Sequence, residues 1–79
     1  MNAQDRKEIK KVLQDLYSAR ETLETLKDEL QEKLDNVPEN LQGSERYEQM
    51  EDDQYKVEEA YDTIDSLLDD LDDLIGPND

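Results

Sequence analysis

The sequence predicts an all-α protein, an antiparallel two-helix hairpin of the coiled-coil type that dimerises into a four-helix bundle. Three observations support this prediction. Apolar residues recur every seven positions in both halves of the 79-residue chain, a proline and a glycine interrupt the repeat near its middle, and the apolar stripe is wider than one helix pair needs. The length is that of a single small domain, so residues 1–79 are expected to form one unit.

The first helix is expected over residues 3–35, because a heptad repeat runs through it. With Ile9 at heptad position a, apolar side chains fill the following positions: Leu16, Leu23, Leu30 and Val37 at a, and Val12, Ala19 and Leu26 at d. Val37 stands before Pro38, and a residue before proline is disfavoured in the α conformation. The helix should therefore end near Asp35 or Asn36.

The turn is expected over residues 36–44. Pro38 suits the start of one short helical turn through Gln42, and Gly43 can close that turn. Ser44 then acts as the N-cap of a second helix over residues 45–75, which the Gly76-Pro77 pair ends. In this helix the repeat places Met50, Val57, Ile64 and Leu71 at a, and Ala60, Leu67 and Leu74 at d.

A short connection makes the two helices antiparallel neighbours, and the a residues of one helix are expected to meet the d residues of the other. The register that achieves this sets Ile9 against Leu74 and Ala19 against Ile64. Residues at position e then form a flank that a lone hairpin leaves exposed. They are predicted to form a homodimer interface: Leu13, Leu34, Tyr47, Tyr61, Leu68 and Ile75. A hairpin docked on a different protein and a marginally stable monomer are the alternatives.

The distribution of charge narrows the classes of partner. The chain carries 24 acidic and 9 basic residues for a net charge of −15, and 15 of the acidic residues follow Asn36, where only Arg46 and Lys56 oppose them. Such a surface repels nucleic acid and anionic membranes, so a basic protein is the expected partner. No apolar run is long enough to cross a bilayer, and a cytoplasmic protein is therefore expected.

Catalysis, metals and cofactors are not expected. The chain lacks cysteine and histidine, which are the commonest zinc ligands, and histidine is also the commonest general base. Asp70 and Asp72 are spaced like the first ligands of a calcium loop, but Leu74 and Ile75 stand where that loop requires a further ligand and a glycine. No catalytic residue, cofactor or metal ligand is therefore predicted.

The outer face of the second helix is the predicted partner-binding surface. Its acidic residues lie at positions b, c and f, away from the a and d seam, and aspartates crowd its C-terminal end, where the helix dipole favours cations. The predicted set is Glu51, Asp52, Tyr55, Glu58, Glu59, Asp62, Asp65, Asp69, Asp72 and Asp73, with Tyr55 as a candidate anchor. The alternative is a solvated face that only keeps the protein soluble. The antiparallel register brings Arg6, Lys7, Lys10 and Lys11 beside the C-terminal aspartates, which leaves residues 48–65 least compensated.

The segment NVPENLQGSERYE, residues 36–48, resembles the linker of small acidic two-helix proteins of Gram-positive bacteria, their phages and mobile elements. The shared pattern is N-[IV]-P-E-N-L-Q-x-S-x-R-Y-E followed by an acidic helix with a leucine repeat. No activity is assigned to that family, so the resemblance transfers no functional residue. It implies a bacterial cytoplasm, or a host cytoplasm if the chain is encoded by a phage. Proteins of the anti-CRISPR and anti-restriction type occur in that setting.

The sequence therefore favours a non-enzymatic, acidic protein-binding module. Its acidic helix face would act as a nucleic-acid mimic that blocks a basic nucleic-acid-binding protein, such as a nuclease. The alternative is a self-associating structural or adaptor hairpin that works through its apolar stripe, with the charge serving solubility only.

Overall fold

The computed structural model describes residues 1–76, and it forms the helical hairpin that the sequence predicts. Helix α1 spans Ala3–Asp35, a single 3-10 turn spans Glu39–Leu41, and helix α2 spans Glu45–Ile75. These bounds agree with those expected from the heptad repeat and the Val37-Pro38 step. The two helices are in contact along an elongated molecule whose principal extents are 59 × 16 × 14 Å.

The helix ends are closed by local hydrogen bonds. Asn2 and Asp5 form a capping box at the start of α1, in which the Asp5 amide donates to Asn2 Oδ1 at 2.8 Å. Ser44 caps α2 as expected, since its Oγ accepts from the Tyr47 amide at 3.2 Å. Gly76 ends α2 with a φ of +76°, a backbone conformation that favours glycine. Pro77, predicted to help end this helix, lies outside the described residues.

The seam between the helices is formed by positions a and e, and the expected a and d seam is wrong. The most deeply buried side chains all lie at e: Leu13, Leu34, Gln54, Leu68 and Ile75. The a residues beside them, such as Leu16 and Ile64, are half-buried and pack against this core. Because successive residues are about 100° apart around a helix, positions e and d lie on opposite sides of position a. A helix that turns e toward its partner helix therefore turns d toward solvent.

The e-position residues are therefore not an exposed flank awaiting a second copy, and that prediction is wrong. Leu13, Leu34, Leu68 and Ile75 are already buried within one hairpin, with Leu68 only 2% exposed. Tyr47 and Tyr61 are half-buried in the same seam. Dimerisation itself stays a prediction, as does any part that Tyr47 and Tyr61 play in it, but the four buried side chains cannot supply its surface without opening the hairpin.

The axial alignment of the helices agrees closely with the predicted register. Arg20 forms an ion pair with Asp65, and these residues directly follow Ala19 and Ile64, which the sequence placed opposite each other. Near the turn, Gln54 Nε2 donates to Gln31 Oε1 at 3.4 Å. The error in the sequence interpretation is therefore a rotation of each helix about its own axis, with little sliding along it.

The two broad faces of the hairpin differ in chemistry because the helices are antiparallel. Their b positions lie on one face, which the Tyr17 hydroxyl demonstrates by donating to Asp72 Oδ2 at 3.4 Å. Their d positions lie on the opposite face by the same geometry. We call these d-position residues the d row: Val12, Ala19, Leu26, Ala60, Leu67 and Leu74. Neither helix within residues 1–76 is apolar enough over a sufficient length to cross a membrane.

Candidate protein-binding surface

The e positions in the middle of α1 are polar, although the e positions nearer its two ends, Leu13 and Leu34, are apolar. Arg20 and Lys27 occupy e positions of α1, and Tyr61 lies opposite them on α2. The guanidinium carbon of Arg20 lies 6.0 Å from the centre of the Tyr61 ring, and Lys27 Nζ lies 4.8 Å from it. Both cations thus lie over the ring at distances typical of cation–π interactions, while their apolar stems cover the seam.

Arg20 also joins the two helices through charge. Its Nη1 donates to Asp65 Oδ1, and this bond raises the pKa of the guanidinium above its ordinary value. The same guanidinium lies 5.2 Å from the centre of the Tyr17 ring. One side chain on α1 therefore contacts a carboxylate and two aromatic rings, and it removes Asp65 from the freely available acidic surface.

Within residues 1–76, Gln54 is the seam residue whose side chain is deeply buried while one of its polar atoms lacks a hydrogen bond. It is 6% exposed, and its Nε2 donates to Gln31 Oε1 and to Glu58 Oε1 at 3.4 and 3.2 Å. Its own Oε1 has no partner. A buried acceptor without a donor costs free energy, so Gln54 weakens the hairpin relative to an apolar residue of similar size.

The open end of the hairpin uses a cation to close helix α2. Arg6 Nη1 donates to the Ile75 carbonyl at 3.0 Å, where the negative end of the helix dipole favours positive charge. Arg6 thereby lies beside the C-terminal aspartates, as the antiparallel register predicted. The contact partly offsets the cost of placing Asp69, Asp72 and Asp73 in the last turns of the helix.

The predicted acidic set separates into engaged and unengaged members. Four carboxylates have partners: Asp52 with Lys56 at 3.1 Å, Glu58 with Gln54, Asp65 with Arg20 and Asp72 with Tyr17. The hydrogen bond to Asp52 raises the pKa of Lys56, and the Lys56 ammonium offsets part of the negative charge at that point. These four residues are the least suited to capture a partner, because binding must compete with contacts already made.

The other members of the set are exposed, and their carboxylates have no partner among residues 1–76. They are Glu51, Glu59, Asp62, Asp69 and Asp73. Tyr55 lies among them and is 60% exposed, which is unusual for so large a side chain. Tyr55 and these carboxylates thus lie exposed along the outward side of α2, from Glu51 to Asp73, where an elongated basic surface can reach them.

We compared this arrangement with known proteins. No protein-family model, curated protein or solved structure matches the chain, so its own residues carry the functional argument. The likeness of the 36–48 linker to acidic two-helix proteins remains an untested resemblance.

An open cleft of about 570 Å³ lies at the turn end of the hairpin. Apolar side chains of the turn and of Met50 line it, and Lys33 and Arg46 stand at its edge. Neither cation has an ion pair among the described residues. Within the same residues no three acidic groups are placed to hold a metal ion.

Sequence reasoning missed Arg20, Lys27 and Gln54, although a signal for them was present. Polar residues interrupt the e positions at the middle of each helix, and long side chains such as Arg and Lys tolerate a half-buried position. The assumption that a seam must be apolar led the interpretation to the d row instead.

Proposed function

We propose that this protein is a non-enzymatic, acidic protein-binding module that presents the outer side of α2 to a basic protein surface. The observation that carries the proposal is the row of unengaged carboxylates around Tyr55. The hairpin does not neutralise this row, because its nearest cations are used elsewhere: Arg20 binds Asp65, Lys27 lies over Tyr61 and Lys56 binds Asp52.

A nucleic-acid-binding protein is the partner class that best fits the charge pattern. Among the unengaged carboxylates, Glu59 and Asp62 are three residues apart and Asp69 and Asp73 are four apart, so the members of each pair lie about 5–6 Å apart. This distance is of the same order as the spacing of phosphates along a nucleic-acid strand, about 3.4 Å of axis per strand, so a groove of lysine and arginine that binds DNA or RNA would accept these pairs. Binding would block the groove, which supports an inhibitory role as a nucleic-acid mimic.

Tyr55 supplies the part of the interface that charge cannot supply. Tyrosine is enriched at binding hot spots because its ring buries a large apolar area while its hydroxyl forms hydrogen bonds. Tyr55 is too exposed to contribute much to the fold. We expect Tyr55→Ala to leave helicity and melting temperature unchanged and to weaken partner binding at least about tenfold, the effect of losing a contact worth roughly 1.4 kcal/mol. Unfolding of this variant would contradict the role of Tyr55 as an exposed anchor.

Charge reversal tests the proposal directly. The variant Glu59→Lys/Asp62→Lys changes two unengaged carboxylates of α2, and Glu21→Lys/Asp28→Lys makes the same change of charge on the outer side of α1. Each variant is immobilised and used to capture proteins from a bacterial lysate, with elution by steps of salt. We expect the α2 variant to lose the captured protein and the α1 variant to retain it, because only the first removes the row.

The identity and behaviour of the captured protein complete the test. A DNA- or RNA-handling enzyme that elutes at moderate salt, and that an excess of its own nucleic acid displaces, would support mimicry. A partner whose binding is insensitive to salt, and that binds both variants equally, would contradict the proposal.

A second candidate, an adaptor that works through an apolar stripe, is favoured by one observation. An apolar row remains exposed in the structure, but it is the d row and not the predicted e-position flank. Under this reading Leu26→Asp and Leu67→Asp abolish binding to a partner, while reversals at Glu59 and Asp62 are tolerated. Substitutions at Tyr61 or Leu68 cannot test it, because those residues hold the hairpin together.

A further inference from the structure

The exposed d row is the strongest feature of the molecule that the proposed function leaves unexplained. Four of its side chains remain well exposed: Val12 at 47%, Leu26 at 39%, Leu67 at 43% and Leu74 at 53%. They lie on one broad face of the hairpin, and the half-buried a residues, such as Leu16 and Ile64, lie between the two halves of the row. A continuous apolar strip of this kind marks an interaction surface more often than chance exposure does.

We propose that a second copy of this chain covers the d row, so that two hairpins stack face to face as a four-helix bundle. The size of the face suits such an interface. The extents of 59 × 16 Å give each broad face a flat area of roughly 900 Å², which is large enough to contain an interface that buries the about 800 Å² per partner of a standard stable complex. In such a pair the d row of one copy lies against the d row of the other.

The residues along the face have the arrangement of an interface core with a polar rim. Ala19 and Ala60 lie near the middle of the row, where small side chains allow two helices to approach closely. At the turn end the d positions change to Lys33, Arg46 and Asp53. Apolar residues thus occupy the centre and one end of the face, while charged residues limit it at the turn, in keeping with interfaces of known complexes.

Charge decides how the two copies are oriented. Residues 3–35 carry a net charge of −2 and residues 45–75 a net charge of −11, counting the Asp, Glu, Lys and Arg of each helix. If α2 lay on α2 of the other copy, the two strongly acidic helices would be adjacent. If α1 of each copy lies on α2 of the other, the acidic helices occupy diagonal corners and repel each other less. The second arrangement places both turns at the same end of the dimer.

The dimer complements the proposed function without depending on it. The unengaged carboxylates and Tyr55 lie away from the d row, so a dimer displays two such rows on opposite sides. Salt separates the two proposals. Screening should strengthen the association of two chains of net charge −15, whereas it should weaken the binding of a basic partner.

Sedimentation equilibrium tests the dimer. We expect the wild-type chain to show about twice the monomer mass of 9.3 kDa at micromolar concentration, with tighter association as salt rises. Leu67→Lys should weaken dimerisation at least about tenfold, while Ser66→Lys, the same charge change on the neighbouring residue outside the d row, should leave it unchanged.

Leu26→Lys provides the same test on α1, with Thr25→Lys as its control. Circular dichroism verifies that all four variants keep their helices. A monomeric wild type at high salt, or equal dimerisation of the Leu67 and Ser66 variants, would overturn the proposal.

Spin labels test the orientation. Gly43→Cys provides a single labelling site in a chain that lacks cysteine, and a Cβ at this position has no non-neighbouring atom within 4 Å. Electron–electron distance measurements on the labelled dimer should give a short separation, because both turns lie at one end. A separation near the 59 Å length of the hairpin would overturn the pairing of α1 with α2 of the other copy.

Discussion

The two edges of the apolar stripe have opposite fates, although each carries six apolar residues among its ten positions in the two helices. The d row contains aliphatic residues over most of its length, yet it stays exposed, whereas the e positions include Arg20, Lys27 and Gln54 and are buried or half-buried. Counting apolar residues does not explain this outcome. The length of the polar side chains explains it better, because length decides whether a charged group can extend from the seam to solvent or to an opposite charge.

Arginine and lysine side chains are tolerated in the seam, whereas the shorter aspartate side chain is not. The charged groups of Arg20 and Lys27 lie over the Tyr61 ring, and the Arg20 guanidinium also contacts Asp65. Rotating the helices to bury the d positions would place Asp5 and Asp53 in the seam, and an aspartate has no stem long enough to bring its carboxylate back to solvent. The rotation observed keeps every charged group within reach of water or of an opposite charge.

The largest expected effect comes from truncating two adjacent leucines, one at the buried edge of the stripe and one at the exposed edge. Leu68 lies in the seam at 2% exposure and Leu67 lies in the d row at 43%. We expect Leu68→Ala to reduce the free energy of unfolding by about 2–4 kcal/mol, because it opens a cavity in the densest part of the core. In a monomeric background, Leu67→Ala should cost less than about 1 kcal/mol. Urea unfolding followed by circular dichroism measures both, and equal losses would contradict the assignment of inner and outer edges.

Replacing Gln54 should have a smaller effect of opposite sign, an increase in the free energy of unfolding. Gln54→Leu removes the buried Oε1 that has no hydrogen-bond donor and fills the same space with apolar atoms. We expect it to stabilise the hairpin by about 1 kcal/mol. Gln49→Leu is the matched control, since Gln49 is exposed and bonds only Asp53, at 2.9 Å. A destabilised Gln54→Leu variant would show that the polar seam positions fix the helix alignment more than they weaken it.

Salt should produce the smallest effect. Raising the ionic strength from low to physiological screens repulsion among the unengaged carboxylates of α2, but it also weakens the Arg20–Asp65 ion pair. Because carboxylates outnumber cations so strongly, we expect a net rise in melting temperature of a few degrees. Unchanged melting would mean that the outer carboxylates are better compensated than their exposure indicates. The measurement uses the Leu67→Lys variant, so that dimerisation does not contribute.

The sequence by itself determined the secondary structure, the antiparallel hairpin and most of the axial alignment. These features follow from local rules: the seven-residue repeat, the Val37-Pro38 step that ends α1, and the Ser44 cap that begins α2. The sequence also located the outer acidic residues, since any rotation that buries position a leaves c and f outside.

Only the tertiary structure decided which neighbour of position a completes the seam. A stripe three positions wide allows two rotations that differ little in apolar content, and the choice between them depends on contacts across the helices. Arg20 with Asp65 and Tyr61, and Leu13 with Leu68, are such contacts, and no rule acting within one helix contains them. Long basic side chains that reach across to the acidic helix therefore select the rotation, and that rotation leaves the d row exposed.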